Sequence, residues 1–452
     1  MDVANVLQTP PVFFRLFVNL ALALFSSAVS FHSPGSALRD RQYRLWEDAF
    51  AAAHGKLSLG EDDSEDALAK RAFGNQWRAS IPLWPVLDTI PLHHDLRVAQ
   101  RAHMVLAWLV SFYVHSMPPH GDESPVVPRA LAVPLHQISR HLGFAPVLTF
   151  ADTVLWNWDL INPEQPLSIE NMRILNLFSG TDDERHFYQA SARAELRGVE
   201  ILRIIEDYNT LPNTTEFTSI SNMARDLHRL SSIIDDISET IQSVRPLCDP
   251  HVFYWDIRPW FEGSDAKGPS TPGWIYEGVD EADLDLSGPS AGQSSVMHAL
   301  DIFLDVDHKL SQRRYPAPSP ENKRADLGFM ERMRRYMPGK HQEYLRHVSG
   351  APRSIRDVAQ STPALRDAYD SAVMALKRLR DSHIRIACLY VVTMSRTTPG
   401  ARGGCPASAM IDRLHAARLA GKGPVRGTGG NELSILLKAG RDATRRAILK
   451  PN

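Results

Sequence analysis

Along the second half of the chain, apolar residues recur at alternating spacings of four and three, the mark of helices with one buried face. The clearest run is 363–392, where Leu365, Tyr369, Ala372, Leu376, Leu379, His383, Ile386 and Tyr390 share a face. Pro363 suits the first helical turn, with Ser361 or Thr362 as its cap. A second run, 183–208, aligns Phe187, Ser191, Ala194, Gly198, Ile201 and Ile205. Each stripe carries one polar residue among apolar ones. From this helix alone, His383 reads first as a core histidine bonded to a neighbour, with metal or haem ligation as the alternative. Ligation needs a neutral imidazole in a dry setting, and Arg380, one turn earlier, could organise its surroundings. Ser191 reads first as a hydroxyl bonded back to the carbonyl of the preceding turn. Ala194 and Gly198 would let another helix, or a flat ligand, approach closely.

The first half is punctuated differently. Proline breaks the apolar pieces at Ile81-Pro82-Leu83-Trp84-Pro85, and one long helix is predicted from Asp95 to His115, ended by Met117-Pro118-Pro119. Pro125, Pro128, Pro134, Gly143 and Pro146 predict short elements and a small mixed domain. The linker is expected at Asn162-Pro163-Glu164-Gln165-Pro166. The expected organisation is an apolar N-terminal segment (1–35), a small domain (36–166) and a large helical domain (167–452). No run of strand-like alternation and no internal repeat is present. Two long loops stand out, 311–323 and the Gly-rich 397–430, where function or disorder is the expected reason for the length. The apolar stretch Val12 to Ser30 is interrupted by Arg15 and Asn19. It reads as a packed helix, a membrane anchor or a signal, and the sequence leaves the three open.

Composition narrows the class. Fifty Lys and Arg against 52 Asp and Glu leave a net charge of −2, without the basic footprint that nucleic-acid binding requires. The hydrophobic fraction of 43% fits a globular protein. Three scattered cysteines, Cys248, Cys388 and Cys405, make neither a disulfide framework nor a CxxC metal pattern, so a reducing, cytoplasmic setting is expected.

Several short strings in fixed order then carry a resemblance. They are Arg101-Ala102-His103, Ala132-Val133-Pro134, Pro146 to Asp152 leading to Leu155-Trp156-Asn157-Trp158, and Phe253 to Arg258. After these come Ser290 to Ser295 with Asp301 behind it, Met333 to Gly339, Leu379 to His383, and Gly427-Thr428-Gly429-Gly430 followed by Leu436-Leu437-Lys438. From about Arg101 to Lys450 the chain resembles the indoleamine 2,3-dioxygenase family. The resemblance implies a mainly α protein, with a large all-helical domain holding haem b and a smaller mixed α/β N-terminal domain. It implies that His383 is the proximal iron ligand, with Arg380 and Asp301 as a charged pair beneath it. On the opposite face it implies a tryptophan pocket of Phe187, Ser191, Phe253, Arg258, Ser290 and Thr428. There the two phenylalanines would wall the indole, Arg258 would take the carboxylate, and the Gly427–Thr428 loop would offer acceptors to the ammonium. Gly427, Gly429 and Gly430 would then belong to a lid that excludes water.

The reaction so implied is cleavage of the indole pyrrole ring of L-tryptophan by dioxygen to N-formylkynurenine, the kynurenine route of tryptophan catabolism toward NAD. An electron donor would keep the haem ferrous, and a monomer without nucleic-acid partners is expected. Two departures from the family pattern stand out. Pro289 stands where the family usually has glycine, and Asn431 where threonine commonly ends the Gly-Thr-Gly-Gly motif. They motivate two rivals: a low-activity paralogue, and a non-catalytic haem or indole sensor.

Overall fold

The computed structural model describes Leu38, 40–119, 121, 123–168, 170–266, 272–280, 284–308, 328–399, 425–428 and 432–449. The apolar stretch Val12 to Ser30, the loop 311–323, and Gly429, Gly430 and Asn431 lie outside these residues, as does most of 397–430.

The main helices are α1 (Arg44–Ala53), α2 (Glu65–Ser80), α3 (Leu96–His115), α4 (Arg129–Leu142), α5 (Asp182–Asn209) and α6 (Phe217–Gln242). They continue as α7 (Ser295–Phe303), α8 (Gly339–Ser349), α9 (Pro363–Ala387) and α10 (Leu433–Arg446). The class is mainly α. Strands among the described residues form two short pairs, β1 (Val126–Val127) parallel to β4 (Ile275–Tyr276), and β2 (Trp158–Leu160) antiparallel to β3 (Met172–Ile174).

Local chemistry sets the helix starts. Asp95 caps α3 by accepting from Arg97 N and Val98 N, and Thr181 caps α5 through Glu184 N. The Glu184 carboxyl turns back to take Phe178 N and Ser179 N at 2.8 and 2.7 Å, closing the turn before α5. Two local expectations need correction. Thr362 stands at the cap of α9 without a side-chain cap bond, and Ser361 bonds back to Asp357 O instead. Helix α4 runs through Pro134, because packing of Leu131, Ala132, Leu135 and Ile138 outweighs one lost backbone bond.

Two hydrophobic cores result. The first surrounds α3, whose face is buried almost from end to end. There Phe178 lies between Trp108 (ring centroids 3.9 Å apart) and Trp260 (5.4 Å), both nearly parallel to it. The second joins the C-terminal half of α5 to α6, α7, α8, α9 and α10. Helix α5 crosses between them: Tyr188, Ala190 and Ala192 belong to the first core, Ile201 to Tyr208 to the second. It passes α7 closely at Gly198, where a Cβ would stand 2.4 Å from Val296 Cγ1.

Candidate functional site

The buried stripe of α9 positions His383. Leu365, Tyr369, Ala372, Leu376 and Leu379 are buried as the spacing requires, while His383 and Ile386 are only partly covered. No hydrogen bond to the His383 ring exists among the described residues. Burial, followed by the nearby Arg380 guanidinium, lowers its pKa below the ordinary histidine value and favours neutral imidazole. An inward imidazole with a free lone pair is the donor that an iron porphyrin needs from a protein.

Arg380 and Asp301 meet as a buried pair, Arg380 Nη2 donating to both carboxylate oxygens at 2.5 and 2.6 Å. Burial alone would raise the Asp301 carboxyl. Arg380 and His308 outweigh it and hold the pKa at about 2. His308 reaches Asp301 Oδ2 at 2.6 Å because α7 ends in a tight reversal. Val306 N bonds Asp301 O there, and Asp305 N bonds Ile302 O, with Asp305 in the left-handed region at φ 52°. Arg380 Nη1 also donates to Gly440 O and to Thr444 Oγ1, tying α9 to α10.

A second group forms around the N-terminal half of α5. The Phe187 and Phe253 rings lie 4.8 Å apart, and Phe253 meets Tyr390 edge-on at 5.6 Å. Phe253 and Tyr390 both sit in π-helical turns, Phe253–Ile257 and Cys388–Thr393, which shift their register from that of a regular helix. Tyr390 lies on the same stripe as His383, so it links this aromatic wall to α9. Ser191 Oγ donates to Phe187 O at 3.1 Å, the back-bonded arrangement expected of a helical serine. Arg258 is buried, with Nη1 on Glu262 Oε1 at 2.6 Å, Nη2 on Arg426 O at 3.0 Å, and its guanidinium over the Tyr254 ring. Ser290 Oγ accepts from Gly292 N, and Thr428 Oγ1 donates to Pro289 O at 2.7 Å.

The backbone around Pro289 is crowded. A Cβ on Gly288 would stand 1.9 Å from Phe261 O, and one on Gly263 would stand 2.2 Å from Gly288 N. Segment 425–428 is therefore fastened at Arg258 and Pro289. The structure joins Arg380 to Asp301, Phe187 to Phe253, and Arg258 and Pro289 to the segment containing Gly427 and Thr428. Among the described residues no hydrogen bond or ring-to-ring contact joins His383 to the Phe187 group.

Three residues escaped the sequence reading. Glu262 follows Arg258 by four positions, a spacing that could have flagged an ion pair. His308 gives no sequence signal, since the reversal at Asp305 brings it to Asp301. Glu195, one turn beyond Ser191, is buried. Its Oε1 lies 2.5 Å from Ser294 Oγ, its Oε2 has no hydrogen-bond partner among the described residues, and burial raises its pKa to about 7.

These features define a mainly helical protein with an inward histidine that has no hydrogen-bond partner among the described residues, a charged pair beside it and an aromatic wall with a buried arginine. The chain belongs to the indoleamine 2,3-dioxygenase family, whose model matches residues 26–447. It is 32% identical to indoleamine 2,3-dioxygenase 2 of Mus musculus, over 83% of this chain and 85% of that protein. It is 28% identical to indoleamine 2,3-dioxygenase of Saccharomyces cerevisiae, over 91% and 89%. A 6-hydroxytryptophan 2,3-dioxygenase of Fusarium equiseti is 29% identical over 83% and 87%. Among the described residues, no helix is long and apolar enough to cross a membrane.

Proposed function

We propose that the protein is a haem-dependent dioxygenase that cleaves the pyrrole ring of L-tryptophan to N-formylkynurenine. The observation that carries this reading is His383. It is an inward imidazole held neutral, without a hydrogen-bond partner among the described residues, on a helix whose next turn meets the aromatic wall. Its donor atom fits an iron porphyrin, and haem b would supply the activation of dioxygen for insertion into the ring.

The protein's own residues bind, orient and keep the pocket dry. His383 would hold the iron, and the Arg380–Asp301–His308 cluster fixes the floor beneath it. Phe187 and Phe253 offer faces and edges against which an indole packs. Arg258 supplies the planar cation for the carboxylate. Ser191 Oγ already donates to Phe187 O, so it shapes the pocket and does not act as a base. Gly427 and Thr428, docked on Arg258 and Pro289, close the pocket against water. Ser290, in the turn behind Pro289, contributes its backbone and hydroxyl to the same wall.

Purified, haem-reconstituted protein given a reductant, dioxygen and L-tryptophan should form N-formylkynurenine, read by its absorbance. His383→Ala should lose stable haem, and an unchanged Soret band at full occupancy in that variant would refute the assignment. A second reading is a paralogue of low turnover or a non-catalytic haem or indole sensor. It draws support from Pro289, which follows Gly288, whose backbone is packed closely against Phe261 and Gly263. That reading predicts a normal haem spectrum with little product. The named relative's activity on 6-hydroxytryptophan makes ring-hydroxylated tryptophan the first alternative substrate to try.

A further inference from the structure

Arg258 accounts for the carboxylate of an amino-acid substrate, but an α-amino acid also carries an ammonium on the same carbon. The Gly427–Thr428 loop, expected to serve that group, offers only neutral acceptors, among them the Thr428 hydroxyl that donates to Pro289 O, and no charge. Glu262 offers one. It follows the 3-10 turn Arg258–Phe261, so its side chain returns to Arg258, and Oε1 accepts from Nη1 at 2.6 Å. The two side chains are only 9% and 18% exposed. Their backbone is anchored to α3: Ser111 Oγ donates to Trp260 O at 2.8 Å, and His115 Nε2 donates to Glu262 O at 2.9 Å. Glu262 Oε2 has no hydrogen-bond partner among the described residues. Arg258 Nη2 meanwhile holds Arg426 O, so the ion pair lies directly beside the segment that closes the pocket.

The geometry points to Glu262 as the ammonium subsite of this pocket, so that Arg258 and Glu262 together read the zwitterion of an α-amino acid. This rests on the tryptophan reading and names its specificity determinant. The reason is electrostatic. An Arg–Glu pair has no net charge, and in a partly buried setting each member needs an opposite partner. A ligand with only a carboxylate must compete with Glu262 for Arg258, and leaves two anions facing one another. A ligand with only an amine meets the guanidinium. A zwitterion gives each member its complement, because its own charges sit as close together as those of the pair. Exchange of the Arg258–Glu262 contact for two contacts to the ligand then leaves no buried charge unpaired.

Equilibrium binding of L-tryptophan and of indole-3-propionate, which lacks the amine, tests this. The ligands are titrated into haem-loaded wild type, Glu262→Gln and Glu262→Asp, with haem content and thermal melting recorded for each. Glutamine keeps a hydrogen-bond acceptor for Arg258 but removes the charge. It should weaken L-tryptophan binding by about tenfold or more, while indole-3-propionate binds as well as before or better. Aspartate should restore most of the preference for the zwitterion. If Glu262→Gln weakens both ligands equally, Glu262 only steadies Arg258 and the inference fails. If it leaves L-tryptophan binding unchanged or improved, Glu262 is a competitor and the inference fails likewise. Wild-type protein that binds neither ligand would overturn the tryptophan reading itself, and this subsite with it.

Discussion

Glu195 keeps its proton because burial gives its anion nothing to solvate it except the Ser294 hydroxyl. In the unfolded chain it ionises near 4.5, and in the native state near 7. Between those values the native state holds a proton that the unfolded state has lost, so its contribution to stability falls as pH rises and is level above 7. Glu195→Gln cannot ionise. Its stability relative to wild type should therefore rise across that window, by up to about 3 kcal/mol. Urea melts at pH 5 and pH 7.5 would show this, and an equal difference at both would mean that Glu195 ionises normally. Asp301 behaves oppositely, with a pKa held at about 2. Asp301→Asn leaves Arg380 buried without its anion, and should cost roughly 3–5 kcal/mol in urea unfolding at neutral pH. Asp301 and its partner Arg380 were matched through the resemblance, whereas Glu195 was not singled out, and the further partners of both carboxyls were not legible. Ser294 and His308 arrive through folds of the chain that no spacing encodes.

At the scale of elements, helix positions followed from periodicity. The run 363–392 emerges as Pro363–Ala387 plus a π-helical turn, and 183–208 as Asp182–Asn209. Periodicity at 3.6 residues missed the π-helical turns that place Phe253 and Tyr390, because a single extra residue per turn leaves little trace in an apolar pattern. The small residues of the α5 stripe did mark a close approach. Gly198→Ala should push α5 from α7 at Val296 and cost about 1–3 kcal/mol, measurable by chemical denaturation. Pro289→Gly has a different expected effect. Thr428 bonds the backbone carbonyl, which glycine retains, so the 425–428 segment should stay docked while unfolded-state freedom lowers stability by about 1 kcal/mol. A calorimetric melt beside a turnover assay separates the two quantities, and a large rise in turnover would mark the proline ring as an obstruction.

Across the whole molecule, the early part of the chain depends on the later part. β1 finds its parallel partner in β4, some 150 residues on, and the core around α3 takes in Phe178, Trp260, Phe261 and Tyr390. A fragment comprising residues 36–166 would expose those contact faces. Expressed alone, it should lack a cooperative thermal transition by circular dichroism, and a sharp melt would show that it carries enough core of its own. The candidate site draws on both cores, since the first supports Arg258 and Glu262 through α3 and the second supports Arg380 and Asp301.

Local pattern along the chain carries the helical class, the inward faces of α5 and α9 and the membership in the family. All three follow from local periodicity or from ordered strings of residues, which need no knowledge of distant contacts. What the polar residues do on those faces depends on long-range packing. Whether Arg258 stands alone or paired with Glu262, and whether Asp301 meets one cation or two, depends on turns that bring remote side chains within hydrogen-bond distance. The physical reason is that helix formation is specified within a few residues, whereas the charge state and partner of a buried group are set by every segment packed against it.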